Sequence, residues 1–431
     1  MNTPLDAPGF PREEVAERAR HGVAAIYPDA ARYGVSVFGG TVPVAADALD
    51  AMRLVPPVFV PRRLEKLIEL GREPVHHDVD LRTDIGGFAS SLPVYVSAFG
   101  STEVAGRDLG VAVSGQAAAC GIPVVIGENV VPVNGYRSVD RAGRSMLRRV
   151  HAYLDAVPDG LGGVVVQQST EDADAEVWNL VYSDPEARAL LDSGRLAFEL
   201  KVGQGAKPGL GGMTLLDSAS AAALQGRYTI DEAGADGRRL RHSSPGTFTE
   251  EVLRQQIRLM RNNYPRARTW VKLPPARDVL AAFDIAVTAG ADAVTVDGAE
   301  GGTGWAPKCF LEHVGLPLAE CLRRIGEPAA RSGCLLVSGR FWEGSRTVKA
   351  LALGARAVGI GRAALLAAAA HDDGVRNFVR ALSAELQLLI AALGKYSPEP
   401  LSSEDVWDPS GAPHAPAWDA SAYHDGLAEA P

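Results

Sequence analysis

The chain has 431 residues, of which 46% are hydrophobic and 22% charged, and 43 basic residues against 52 acidic ones give a net charge of −9. This composition excludes a disordered or fibrous chain, and the acidic balance, with no Lys/Arg block interleaved with aromatics, argues against a nucleic-acid partner. The longest apolar runs, Ala363–Ala370 and Leu386–Leu393, fall short of the roughly 20 residues that a membrane span needs. Met1-Asn2-Thr3-Pro4-Leu5-Asp6 has neither a basic region nor an apolar stretch, so no signal peptide and a cytoplasmic location are expected. Cys120, Cys309, Cys321 and Cys334 are scattered without a CxxC or Cys/His pairing, which supports neither a disulfide framework nor a zinc knuckle. The 46 glycines are clustered, and clustered glycines mark backbone that turns sharply or approaches a ligand closely.

In chain order, helix signals at Pro11–Arg20 and Pro61–Leu70 lie in an expected N-terminal extension, residues 1–90, packed on the main body of the chain. From residue 91 a β-branched run followed by a helical stretch repeats. Pro93–Ser97 precedes a helix ending at Ala119, and Pro123–Ile126 precedes Val139–Ala156. Gly163–Gln167 precedes a helix near Pro185–Asp192. Leu196–Val202 is followed by a long loop and then Thr249–Asn262. Thr269–Leu273 precedes Arg277–Ala289, and Ala293–Val296 precedes Leu316–Arg324. Cys334–Val337 precedes Gly344–Leu353, and Ala357–Ile360 runs into Arg362–Ala370. Strands near-continuous in Val, Ile and Leu suit a sheet buried on both faces. Eight such units predict an α/β fold, a (β/α)8 TIM barrel over residues 91–395, with a Pro-, Ser-, Asp- and Ala-rich tail at 396–431.

In this fold chemistry gathers at the C-terminal ends of the strands. There the sequence places Ser97-Ala98-Phe99-Gly100, Gly127-Glu128-Asn129, Gln167-Gln168, Lys201, Lys272, Asp297-Gly298, Ser338-Gly339-Arg340 and Gly359-Ile360-Gly361-Arg362. Glycine turns after the seventh and eighth strands are the fold's usual phosphate site, on backbone N–H groups and a helix N-terminus, and Arg340 and Arg362 would add charge. The bland alternative is a pair of tight turns with surface arginines. Lys201, Lys207 and Lys272 would converge on one anion at the barrel mouth. Any one of them alone would more simply be a solvated loop charge, except Lys272, which stands in an apolar strand and needs a partner. Glu128, Asp297 and Glu300 are acid–base candidates or anchors for those lysines. His76-His77-Asp78 would put its histidines on opposite faces if extended, which speaks against a shared metal. His313 and Cys309 read more simply as structural residues, and no metal is expected.

Lys201-Val202-Gly203-Gln204-Gly205-Ala206-Lys207-Pro208-Gly209-x-Gly211-Gly212 resembles the loop signature of the FMN-binding domain of the glutamate synthase family. Ser97–Gly100, Ser244-Pro245, Val271-Lys272-Leu273, Gly301-Gly302-Thr303-Gly304 and His313–Pro317 resemble further motifs of that domain in the same order, over roughly residues 70–365. The resemblance implies an FMN-binding barrel. The backbone of Ala98 and Phe99 would line the flavin, Gln168 would meet its pyrimidine edge, and Lys272 would lie at the N1/O2 edge. Ser338, Gly339, Arg340, Gly361 and Arg362 would hold the phosphate. Lys201, Gln204, Gly302 and Thr303 would shape the substrate site, with Lys207 in the catalytic set; Glu300 and Asp297 join that set from their strand-end placement, not from the resemblance. A cation at N1/O2 favours hydride acceptance, since negative charge develops there.

There are also departures from the family. No N-terminal cysteine nucleophile is present, and no cysteine follows Cys334. Glutaminase activity and an iron–sulfur cluster, which needs thiolates, are therefore not expected. Ala299-Glu300, Asp297, Trp305 and Ser338 replace the family's usual residues. The expected function is an FMN-dependent oxidoreductase acting on an amino, imino or 2-oxo acid or a related small polar metabolite. It would exchange electrons with a soluble donor, a separate electron-transfer protein or oxygen. A redox-neutral isomerase or dehydratase, and a non-catalytic flavin-binding subunit, are the alternatives.

Overall fold

The computed structural model describes residues 5, 7–40, 45–99, 109–128, 130–131, 135–137, 145–169, 176–211, 213–226, 229–232, 237–242, 246, 248–326 and 333–411. Asn129, Gly212, Ser244 and Pro245, and the tail beyond Gly411, lie outside them.

Eight parallel strands close into a barrel: β1 (Val94–Phe99), β2 (Val124–Ile126), β3 (Val164–Ser169), β4 (Leu196–Lys201), β5 (Arg268–Leu273), β6 (Ala293–Asp297), β7 (Leu335–Ser338) and β8 (Ala357–Ile360). Closure is made by β8 on β1, with Val358 opposite Val94 and Ile360 opposite Val96. The apolar runs are continuous because each strand is covered twice. Val94, Val96, Val164, Val166, Phe198, Val271, Val294, Val296, Val337 and Ile360 face the helical layer. Alternate residues Tyr95, Val125, Val165, Ala197, Trp270, Ala293, Leu336 and Ala357 fill the lumen.

The N-terminal end of the lumen is plugged by a hairpin, Thr83–Ile85 with Phe88–Ser90. Its two-residue turn, Gly86 (φ 58) and Gly87 (φ 92), has the positive dihedrals of a primed hairpin turn. Gly86 O accepts a 3.1 Å bond from Trp270 Nε1, and Phe88 packs on the Trp270 ring. A Cβ on Gly86 would lie 2.7 Å from both Trp270 Nε1 and Ala293 Cβ. Gly86→Ala is therefore expected to cost about 1–3 kcal/mol through overpacking, read as a lower urea midpoint at unchanged slope.

Outside the barrel the ends of the chain interlock. Helix α1 (Arg12–His21) and the one-turn helix α2 (Ala48–Ala51) precede the barrel. Helices α3 (Leu318–Ile325), α4 (Arg362–Ala370) and α5 (Gly374–Ala392) follow β6, β8 and α4. Arg18 of α1 forks onto Glu385 of α5 at 2.8 and 2.6 Å. Arg53–Leu54 pairs antiparallel with Val406–Trp407, so the tail and the extension share a strand pair. The stretch read as a long loop after β4 carries a three-stranded antiparallel sheet, Met213–Leu216, Thr229–Glu232 and Arg239–His242. Among the described residues no helix is long and apolar enough to cross a membrane.

Candidate active site at the C-terminal ends of the barrel strands

The lumen changes character along its axis. Two residues past the apolar layer, five of the strands place their next inward side chain in a polar layer, following the period of two. Ala197 is followed by Glu199 and Lys201, Trp270 by Lys272, Ala293 by Thr295 and Asp297, Leu336 by Ser338, and Val165 by Gln167. Glu199, Lys272, Thr295, Asp297, Ser338 and Gln167 are all buried.

Lys272 Nζ stands 3.3 Å from Asp297 Oδ2. Asp297 also accepts from Ser338 Oγ at 2.6 Å and from the Gly205 backbone N–H at 2.9 Å. Glu199 accepts from Gln167 Nε2 at 2.5 Å and from Thr295 Oγ1 at 3.2 Å. Lys201 Nζ donates to Glu128 at 2.5 Å. Burial opposes the charge on Lys272, but Asp297, Glu199 and Glu128 outweigh it and raise its pKa, so the ammonium persists at neutral pH. Burial likewise pushes the Glu128 carboxyl up, and Lys201 more than reverses it. Glu199 goes the other way, because burial outweighs its partners and raises its pKa.

A carboxyl raised in the folded state binds its proton more tightly there than in the unfolded chain. Stability is then lost as pH climbs from the unfolded value of about 4.3 toward the folded one. Glu199→Gln removes that loss, so its stability relative to the parent is expected to grow as pH rises through that window. Denaturation midpoints measured from pH 4 to 8 check this, and a constant difference would refute it.

The signature loop closes over this layer by backbone contact. A Cβ on Gly205 would fall 2.0 Å from Gly298 O, so the loop after β4 reaches the β6 loop only as glycine. Gln204 Nε2 donates to Thr303 Oγ1 at 2.9 Å across the same seam. Lys207 lies half-buried on that loop. Gly302 lies beside Arg362: a Cβ there would sit 3.3 Å from Arg362 Nη2.

At the β8 end, Gly359 leaves bare backbone against Ser97. A Cβ would lie 2.1 Å from Ser97 Oγ, a buried hydroxyl without a hydrogen-bond partner among the described residues. Gly361 stands at the start of α4, which has no side-chain cap. Arg362 is half-buried, and burial lowers its pKa. It has no hydrogen bond or ion pair among the described residues, and its guanidinium lies 5.7 Å from the Phe10 ring centre.

Several residues expected in the site are committed elsewhere. Arg340, expected on a phosphate, pairs with Asp50 and donates to Gly9 O at 3.0 Å. Glu300, expected as an acid or base, accepts from the Leu318 N–H at 3.1 Å at the start of α3. Burial raises its pKa. Gln168 is opposite Leu200, on the face turned to the helical layer, while Gln167 faces the lumen. Ala98 packs on the luminal cluster, and Phe99 packs on the outer core with Arg149 5.8 Å from its ring centre. His76 and His77 occupy a single 3-10 turn rather than a strand. Among the described residues no group of three His, Cys, Asp or Glu could hold a metal.

Glu199 and Thr295 join the site without having been expected there, and Gln167 takes the luminal place expected of Gln168. The signal for Glu199 was the inward parity of Ala197-Phe198-Glu199-Leu200-Lys201, with polar residues at alternate positions of an apolar strand.

The fold and this layer define a class: a (β/α)8 barrel with a charged luminal mouth and a glycine turn, without a side-chain cap, after its last strand. The family model of the conserved region in glutamate synthase matches residues 188–372, and over that region the chain is similar to that family. An archaeal-type glutamate synthase [NADPH] of Dehalococcoides mccartyi is 36% identical over 187 residues, 42% of this chain and 37% of that protein. A glutamate synthase large subunit-like protein of Rhizobium meliloti is 37% identical over 183 residues, 41% of this chain and 40% of its own. The chain thus spans well under half the length of these relatives. Among solved structures, a flavocytochrome b2 with sulfite bound superposes with a TM-score of 0.55 at 17% identity, covering 97% of this chain and 88% of its own. An oxidized active mutant of (S)-mandelate dehydrogenase gives 0.55 at 19%, covering 93% and 99%. At these identities the likeness is one of fold.

Proposed function

We propose that the chain is an FMN-dependent oxidoreductase acting on an amino, imino or 2-oxo acid or a related small polar metabolite. The observation that carries the reading is Lys272, held cationic by Asp297 in the polar layer of the lumen. The residues fit the cofactor. Bare backbone at Gly359, the uncapped start of α4, and the Ser97 hydroxyl and Arg362 guanidinium, neither with a hydrogen-bond partner among the described residues, make a cradle for a phosphate monoester. FMN, when bound, supplies a two-electron acceptor whose N1/O2 edge gains negative charge on reduction.

Lys272 would present its ammonium to that edge, oriented by Asp297, which the Ser338 hydroxyl and the Gly205 N–H hold in place. The backbone of Ala98 and Phe99 would line the ring system, with Ser338 and Gly339 beside the phosphate. Lys201 and Lys207 would bind a substrate carboxylate, with Glu128 holding Lys201 extended until the acid arrives. Gln204, Gly302 and Thr303 form the wall between the two loops and would exclude water. Of the two acids proposed to handle a proton, Asp297 faces the lumen, whereas Glu300 is engaged at α3. Electrons would be exchanged with a soluble donor, a separate protein or oxygen, without a glutaminase step or an iron–sulfur cluster.

The test is an anaerobic screen. Purified protein should be yellow and release FMN, and one class of amino acid should bleach it. A colourless protein that cannot be reconstituted with FMN would sink the reading.

A further inference from the structure

Arg340 has a positive φ of 62, a left-handed conformation that non-glycine residues rarely adopt unaided. Something must hold it there, and the holding groups come from the opposite end of the sequence. Arg340 pairs with Asp50, and its Nε and Nη2 donate to Gly9 O at 3.3 and 3.0 Å. The wholly buried Arg346 contacts both Asp47 oxygens at 2.8 Å and Asp50 Oδ1 at 2.7 Å. On its other side Arg346 donates to Gly339 O at 3.1 Å. The carbonyl that precedes Arg340 is thereby bound on the outer side of the turn. Asp47 also caps α2 by accepting from Asp50 N at 3.0 Å, and Lys349 donates to Asp50 O. Two aspartates and two arginines are thus mutually satisfied, in the arrangement a buried charge cluster requires. One residue beyond Gly9, the Phe10 ring covers Arg362.

We propose that Asp47, Asp50 and Arg340 form a clasp that fastens the Gly9–Phe10 segment over the phosphate end of the barrel. In this arrangement Arg340 is a positioning residue. Arg362 is the guanidinium left for the phosphate, and Phe10 closes the exit beside it. The inference rests on the FMN reading above, and it assigns Arg340 a different partner from the one its sequence position suggests.

The test compares FMN with riboflavin, which lacks the phosphate, on the full chain. Arg340→Gly suits the left-handed backbone and should fold. It is expected to release FMN about tenfold faster, while the preference for FMN over riboflavin at equilibrium stays at the parental ratio. Phe10→Ala should speed release similarly. Arg362→Ala should instead cut that preference by about tenfold to a hundredfold. In the flavin-free protein, Arg340→Gly should expose the N-terminal segment to faster proteolysis near Phe10. Loss of the FMN preference in Arg340→Gly as deep as in Arg362→Ala would make Arg340 a phosphate ligand and overturn the clasp. So would parental release rates in both Arg340→Gly and Phe10→Ala, or parental proteolysis of the flavin-free Arg340→Gly chain. Failure of the parent to bind either flavin, with faster proteolysis still seen, would remove the FMN reading and leave only a structural tie.

Discussion

Lys272→Met is expected to destabilise the protein by about 3–5 kcal/mol at neutral pH, the usual result of removing one partner from a buried charge pair. The side chains of Lys272 and Asp297 are 9% and 5% exposed, so water cannot take over the vacated role. The loss should have a defined pH profile. The folded pKa of Lys272 lies above its ordinary value, so its contribution is complete below about 10.4 and fades only as pH rises through the folded value. Urea denaturation from pH 7 to 12 checks this limb. A flat loss below about 1 kcal/mol would mean that the Lys272–Asp297 pair carries little of the luminal energy. The same variant should bind FMN but reduce it more slowly, because no cation faces the edge where charge develops.

Gly205→Ala is expected to lower kcat/KM by about a hundredfold while leaving the barrel folded. Its Cβ would lie 2.0 Å from Gly298 O, and a backbone oxygen cannot rotate aside as a side chain can. The loop must lift, which breaks the bond from Gly205 N to Asp297 and the seam between Gln204 and Thr303. Asp297 would then lose one of the contacts that orient it toward Lys272. Circular dichroism and the FMN dissociation constant should stay near the parental values, whereas turnover of the acid found by bleaching should fall. Unchanged turnover would remove the loop from the substrate site.

These two positions also show what could be read in the sequence. The eight strands were legible in order because a strand covered by helices outside and side chains inside must be apolar throughout. Lys272 was conspicuous because it interrupts such a strand. The parity of Gln167 and Gln168 was harder, since choosing the inward one requires the register with Leu200 and Lys201. Arg340 was misleading for a different reason. It sits at the fold's phosphate turn, but Asp50 lies 290 positions away, and no local pattern links them. Helix α5 carries a regular apolar spacing through Val375, Phe378, Val379, Leu382, Leu386 and Ile390, all buried, yet only the run at its end stands out as continuous. The sheet after β4 was hidden by charge. Arg239-Leu240-Arg241-His242 is a strand with one buried residue, and it lacks the apolar density that marks the barrel strands.

The interlocking of the chain ends sets an order of assembly. Arg18 waits for a partner 367 residues downstream, and Gly9 waits for Arg340, 331 residues downstream. During synthesis the segment around Gly9 and Arg18 emerges before its partners and has nothing to grip until β7, α4 and α5 have been made. Such distant contacts are entropically late and kinetically slow. The barrel should therefore close before its N-terminal segment docks, leaving a nascent form whose phosphate end stands open to the cofactor and shuts behind it.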